Sequence, residues 1–169
     1  MSSGRRVAIA ALAWLAMLGA DLVLNAAVFA RLYLAGAGDF MLPAGELFRR
    51  IPLGYAAFLI LAALTVELAW RLRVRTAVGG LAFGLAFGGA VAGAWSLGLV
   101  SVSTIPLEYA ITFAFVWMIL VGVAGFVAGT ALAGRSMRRL SIAVVVFAVA
   151  CLVSVMVLQS SGLVPVVRL

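Results

Sequence analysis

Residues 7–30 read VAIAALAWLAMLGADLVLNAAVFA. The hydrocarbon core of a bilayer is about 30 Å thick and a helix rises about 1.5 Å per residue, so roughly 20 apolar residues cross it. This run is long enough, and its polar residues are Asp21 and Asn25. An aspartate near the centre of a spanning helix costs roughly 2.5 to 3.5 kcal/mol on insertion scales, which the Ala- and Leu-rich surroundings absorb. The run therefore reads as a transmembrane helix with a carboxylate that membrane insertion does not require. The basic start MSSGRR followed by an apolar stretch also has the layout of a secretory signal. Leu18 is a poor residue three places before a cut, and the apolar pattern resumes after Asp21, so an uncleaved first span is expected.

Working outward, four more runs qualify: residues 51–70, 77–100, 110–134 and 140–158. The separators are arginine-rich or polar: Arg71, Arg73 and Arg75 after the second run, SVSTIP (101–106) after the third and GRSMRR (134–139) after the fourth. The last run is the shortest and ends in Gln159, Ser160, Ser161 and Gly162, so a re-entrant course is its alternative. The expected fold class is all-α: a polytopic integral membrane protein, a bundle of about five transmembrane helices forming one domain over residues 1–169. The very short loops suggest a prokaryotic plasma membrane.

Composition agrees. The chain is 67% hydrophobic and 10% charged, against roughly half and a quarter in soluble domains, which makes lipid its solvent. The formal charge of +7 comes entirely from arginines set between the runs. Without a basic stripe interleaved with aromatics, that charge reads as topology and excludes nucleic acid as a partner. On one side of the membrane fall Arg5, Arg6, Arg71, Arg73, Arg75, Arg135, Arg138 and Arg139; on the other, Arg31, Arg49, Arg50 and Arg168. Arginine-rich loops stay in the cytoplasm, so the N-terminus is expected there.

The absence of histidine excludes hydrolases with a histidine base, histidine-ligated haem and most zinc or iron sites. The single cysteine, Cys151, lies in an apolar run, forms no intrachain disulfide and reads as a small buried hydrophobe. AWSLG (94–98) is a near match to the serine elbow of hydrolases, but no histidine or lysine is present to activate the serine. A phosphate loop fails for want of lysine. No catalytic residue, cofactor or metal is expected.

Residues 31–50, RLYLAGAGDFMLPAGELFRR, form the sizeable loop. Pro43 suits the start of a short helix and Glu46 its first turn; Phe40, Met41, Leu42, Leu47 and Phe48 would give it an apolar side on the outer membrane surface. In lipid, helices associate where small residues every four positions let backbones approach. The third run has such a ridge in Gly80, Gly84, Gly88, Ala92 and Ser96, flanked by Gly89 and Gly93, and the fourth has Gly125, Gly129 and Ala133. Packing of these two runs within the chain is expected; a homo-oligomer or partner membrane subunit docked on Gly80, Gly84, Gly88 or Gly125, Gly129 is the alternative.

Asp21 and Asn25 are four apart and share a helix face with Trp14 and Leu18, which should look into the bundle. Counting rise from the cytoplasmic end, Asp21 lies ~21 Å in, beyond the midplane. The same ruler places Ser154 at that depth and Tyr55, Trp95, Ser96, Glu108, Tyr109 and Thr112 in the outer half, leaving the inner half little beyond Thr65 and Glu67. Glu67 precedes Arg71 by four residues, the favourable order for a helical ion pair. A transporter or channel needs polar groups along its whole path, and here the inner half looks sealed.

Two readings of Asp21 follow. In one, it and Asn25 floor a ligand-binding pocket open to the outer side, with Tyr55, Ser96, Glu108, Thr112 and Ser154 in the walls and Arg31, Arg49 and Arg50 at the rim. In the other, a protonated Asp21 is interhelical glue, bonded to Ser154, Thr112 or Tyr55. The function expected is a non-enzymatic binding, scaffold or accessory subunit. The alternatives are a proton-coupled small-molecule transporter using Asp21, and an intramembrane lipid-acting enzyme in which Asp21, Glu108 and an arginine converge.

Overall fold

The computed structural model describes residues 1–35 and 42–165, with all their side chains except those of residues 44 and 48. Asp39, Phe40, Met41 and Arg168 lie outside the described residues. The described residues are helical, with no strand: α1 (Ser3–Val23), a π-helical segment (Leu24–Val28), α2 (Ala30–Ala35), α3 (Ala44–Arg71), α4 (Ala77–Val102), α5 (Leu107–Leu132) and α6 (Met137–Ser160). Among the described residues, five helices are long and apolar enough to cross a membrane. At 24 residues, α6 spans about 36 Å, so the run expected to be shortest is of full length.

The helix ends follow local chemistry. Ser2 caps α1 by accepting from Arg5 N at 3.4 Å, and Thr76 caps α4 by accepting from Gly79 N at 3.0 Å. At the end of α3, Val74 N donates to Ala69 O at 2.9 Å and Arg73 N to Trp70 O at 3.2 Å, with Arg73 at φ 57. These two bonds close a Schellman turn with arginine where glycine is usual.

One expectation is corrected here. The separate surface helix starting at Pro43 does not form: Pro43 is the N-cap of α3, and the helix continues unbroken through Pro52 to Arg71. Pro52 lies only a few turns in, where its missing N–H deprives one carbonyl near the helix start.

α1 is central. It packs against α3, α5 and α6, while α4 is attached almost entirely through α5. The core is built from small and branched residues: Ile9, Ala13, Ala16 and Met17 of α1; Ala62, Val66 and Ala69 of α3; Leu120, Ala124, Ala128 and Ala131 of α5. A Cβ at Gly19 would lie 3.0 Å from Ala148 Cα, so α1 and α6 meet at backbone distance.

The glycine ridge is used inside the chain. A Cβ at Gly80 would strike the carbonyl oxygen of Gly125, one at Gly84 that of Val121, and one at Gly129 that of Thr76. Backbone touches backbone along this seam, and Gly80, Gly84, Gly88, Ala92 and Ser96 are all buried.

All the arginines expected on one side, from Arg5 to Arg139, belong to helix ends that meet at one end of the bundle. Arg5 donates to Ala131 O at 3.3 Å and Arg75 to Leu132 O at 3.4 Å, satisfying the last carbonyls of α5. Glu67 holds both Arg6 and Arg71 at 2.8 Å, and the Arg6 guanidinium lies 4.5 Å above the Trp70 ring.

Gly84→Ala is expected to lower stability in detergent by about 1 to 3 kcal/mol, because the neighbouring backbone cannot yield to the added methyl. Gly98→Ala, where nothing lies within 4 Å, should instead raise it by about 0.5 to 1 kcal/mol through helix propensity. Thermal unfolding of the two variants checks the difference in sign.

Candidate functional site

Asn25 Nδ2 donates to Asp21 Oδ1 at 2.6 Å. The pair sits where α1 widens from α-helical to π-helical winding, marked by Phe29 N donating to Leu24 O five residues back at 2.8 Å. A π segment spreads one turn over an extra residue, a local distortion frequent at functional sites. Both side chains are half-buried, and Asn25 Oδ1 is buried with no hydrogen-bond partner among the described residues. Carboxylate and amide oxygen together make an acceptor-rich spot in need of a donor.

Neighbouring elements fix this spot by hydrogen bonds to main-chain oxygens. Trp14 Nε1 donates to Tyr55 O at 2.8 Å, tying the Asp21 face of α1 to α3 as its spacing implied. Tyr109, buried at the start of α5, donates its hydroxyl to Leu32 O at 2.7 Å and holds α2. Gln159 Nε2, at the end of α6, reaches Ala26 O in the π segment at 3.5 Å. Tyr55, Phe58, Phe113 and Trp117 form an aromatic series between α3 and α5, with Phe58 and Trp117 in edge contact at 5.3 Å.

The seven residues expected to line a pocket do not fall together. Asp21 and Asn25 are bonded to each other, and Tyr55 lies half-buried on the α3 side, within electrostatic reach of Asp21. Thr112 is half-buried on α5. Ser96 is buried at the far end of the α4 ridge, its hydroxyl without a partner among the described residues, on a helix that packs almost entirely on α5. Glu108 is exposed in the first turn of α5, where a carboxylate complements the helix dipole. Ser154 is exposed on α6. The hydrogen bond that Asp21 makes is to Asn25 on its own chain turn, and not to Ser154, Thr112 or Tyr55.

Tyr33, Tyr109 and Gln159 were not read as part of the site. Tyr33 and Gln159 fall outside the apolar runs; Tyr33 lies on α2 within electrostatic reach of Asp21, and Gln159 reaches Ala26 O from the end of α6. In the other half, Thr65 of α3 is wholly buried, its hydroxyl without a partner among the described residues.

Compared with protein-family models, curated proteins and solved structures, the chain matches none of them.

Burial first, and then the charge of Asp21, push the Tyr33 hydroxyl from 10.0 up to about 12. A phenol raised by folding contributes stability that is complete below about pH 10 and lost as pH climbs through the folded value. Titration followed at 295 nm should therefore show a late phenol that Tyr33→Phe removes. Asp21→Asn should move that titration to lower pH.

Proposed function

We propose that this chain is a non-enzymatic multi-pass protein of a prokaryotic plasma membrane that serves as a binding or accessory subunit. Its N-terminus and arginine-rich end face the cytoplasm, a reading supported by the arginine count on the two sides. The contact it offers is the Asp21–Asn25 pair in the outer half, which takes a hydrogen-bond donor or cation from a ligand or from a partner's transmembrane segment. The observation that carries this reading is the buried Asn25 Oδ1, without a partner among the described residues, beside a carboxylate in a distorted turn. Buried acceptors of this kind are costly in lipid, and the chain keeps two side by side. The ridge glycines Gly80, Gly84, Gly88, Gly125 and Gly129 are occupied by the α4–α5 seam, so partner contact is assigned to the polar end and not to them.

The pair makes no described side-chain bond to another helix, so removing both members should stabilise the free protein. Asp21→Leu/Asn25→Leu is expected to raise thermal stability in detergent by about 1 kcal/mol. A loss of stability would mean that the pair is structural glue. Proteoliposomes carrying an imposed pH gradient and an entrapped pH dye supply the second test. Proton movement no faster than in empty vesicles is expected, and flux abolished by Asp21→Asn would replace this reading with a proton-coupled transporter.

A further inference from the structure

At the opposite, arginine-rich end, a cavity of about 430 Å³ opens between α5 and α6, lined by Thr130, Arg135, Ser136, Arg139, Leu140 and Ala143. Its walls divide by chemistry. Leu140 and Ala143 line it with apolar surface on α6, whereas Arg135, Ser136 and Arg139 surround the turn that ends α5 and starts α6. Among the described residues, none of Arg135, Arg138 and Arg139 forms an ion pair. Glu67, the acid at this end, is already held by Arg6 and Arg71, and Arg5 and Arg75 are spent on the α5 carbonyls. The Ser136 hydroxyl does not cap α6, unlike Ser2 of α1 and Thr76 of α4, so the first-turn N–H groups of a 24-residue helix keep their positive field.

A polar, positively charged mouth above an apolar wall, at the depth where a spanning helix leaves the hydrocarbon, matches a lipid phosphate with its acyl chains. Guanidinium forks bind phosphate oxygens in pairs, and an uncapped helix start adds backbone donors. We propose that the α5–α6 turn is a binding site for the phosphate of an anionic phospholipid, held by Arg135, Arg139 and Ser136. The proposal requires that the five spans cross a bilayer and is independent of the role of Asp21.

The test uses the purified full-length chain in dodecyl maltoside, with bound lipid counted by native mass spectrometry. The probes are dioleoyl phosphatidylglycerol, zwitterionic dioleoyl phosphatidylcholine and inorganic phosphate. Phosphatidylglycerol should bind the wild type in preference to phosphatidylcholine, and Arg135→Gln/Arg139→Gln should weaken it by about tenfold or more. Arg73→Gln/Arg138→Gln removes the same charge from the same end but leaves the cavity lining intact, and should cost less than about threefold. Ser136→Asp guards against misfolding as an explanation: it caps α6 and should keep or raise thermal stability while repelling the phosphate and reducing lipid binding. Equal losses in the two arginine pairs would reduce the site to diffuse attraction and overturn the proposal. Undiminished binding in Arg135→Gln/Arg139→Gln or in Ser136→Asp would overturn it as well. Inorganic phosphate competing as strongly as phosphatidylglycerol would assign the site to a free anion and overturn the lipid source.

Discussion

In the bilayer proposed for this chain, apolar burial cannot hold the helices together, because a leucine gains nothing by leaving lipid for protein. What remains is close approach, and the chain achieves it by keeping its contact faces small. Alanines of α1, α3 and α5 meet in the centre, Gly19 brings α1 to the backbone of α6, and α4 meets α5 backbone to backbone at Gly80, Gly84, Gly125 and Gly129. Each such contact gains dispersion energy from many close atom pairs, and each is lost when a methyl group intrudes. The outward faces are under no such restriction. Val145, Val146, Val149, Leu152 and Val153 of α6 are large and exposed, as suits a surface wetted by acyl chains.

The polar residues divide between the two ends of this scaffold. At one end arginines neutralise helix termini, with Glu67 clamped between two of them. Towards the other, hydrogen bonds from Trp14, Tyr109 and Gln159 to main-chain oxygens brace the segment where α1 loses regular winding. Between them the core is close to pure hydrocarbon, interrupted by the Thr65 hydroxyl. The Asp21–Asn25 pair thus sits beside a segment tied by these bonds to α3, α5 and α6.

The number of spans, their approximate limits and the glycine seam were legible because each follows from one-dimensional rules: run length for a bilayer, and small residues at every fourth position. The pairing of Glu67 with Arg71 was legible for the same reason; its second partner, Arg6, was not, since that contact joins α1 to α3. The side chains around Asp21 were harder. Helical depth says how far along the membrane a residue lies and nothing of which way it turns. Ser154 and Glu108 have suitable depth or half-membrane position but are exposed, and Ser96 belongs to a helix that α5 separates from α1. The π segment also shifts the register of everything after Leu24, which no propensity in LNAAV announces. The continuous α3 was missed because Pro43 suits the start of a short helix and the apolar run begins only at Ile51, so two segments were read where one helix runs from Ala44 to Arg71.

The near-exclusive attachment of α4 to α5 also bears on how α4 finds its place. During synthesis α4 leaves the ribosome before the helix it will pack against exists, and α1 to α3 offer it almost no surface. In a bilayer, α4 without α5 would be a lone glycine-rich helix with the Gly80, Gly84, Gly88, Ala92 and Ser96 face uncovered. Since residues 103–106 alone separate the two, the delay is short and the search is local. The α4–α5 hairpin thus joins the long helices α1 and α3 almost entirely through α5, and α6 covers another side of α1.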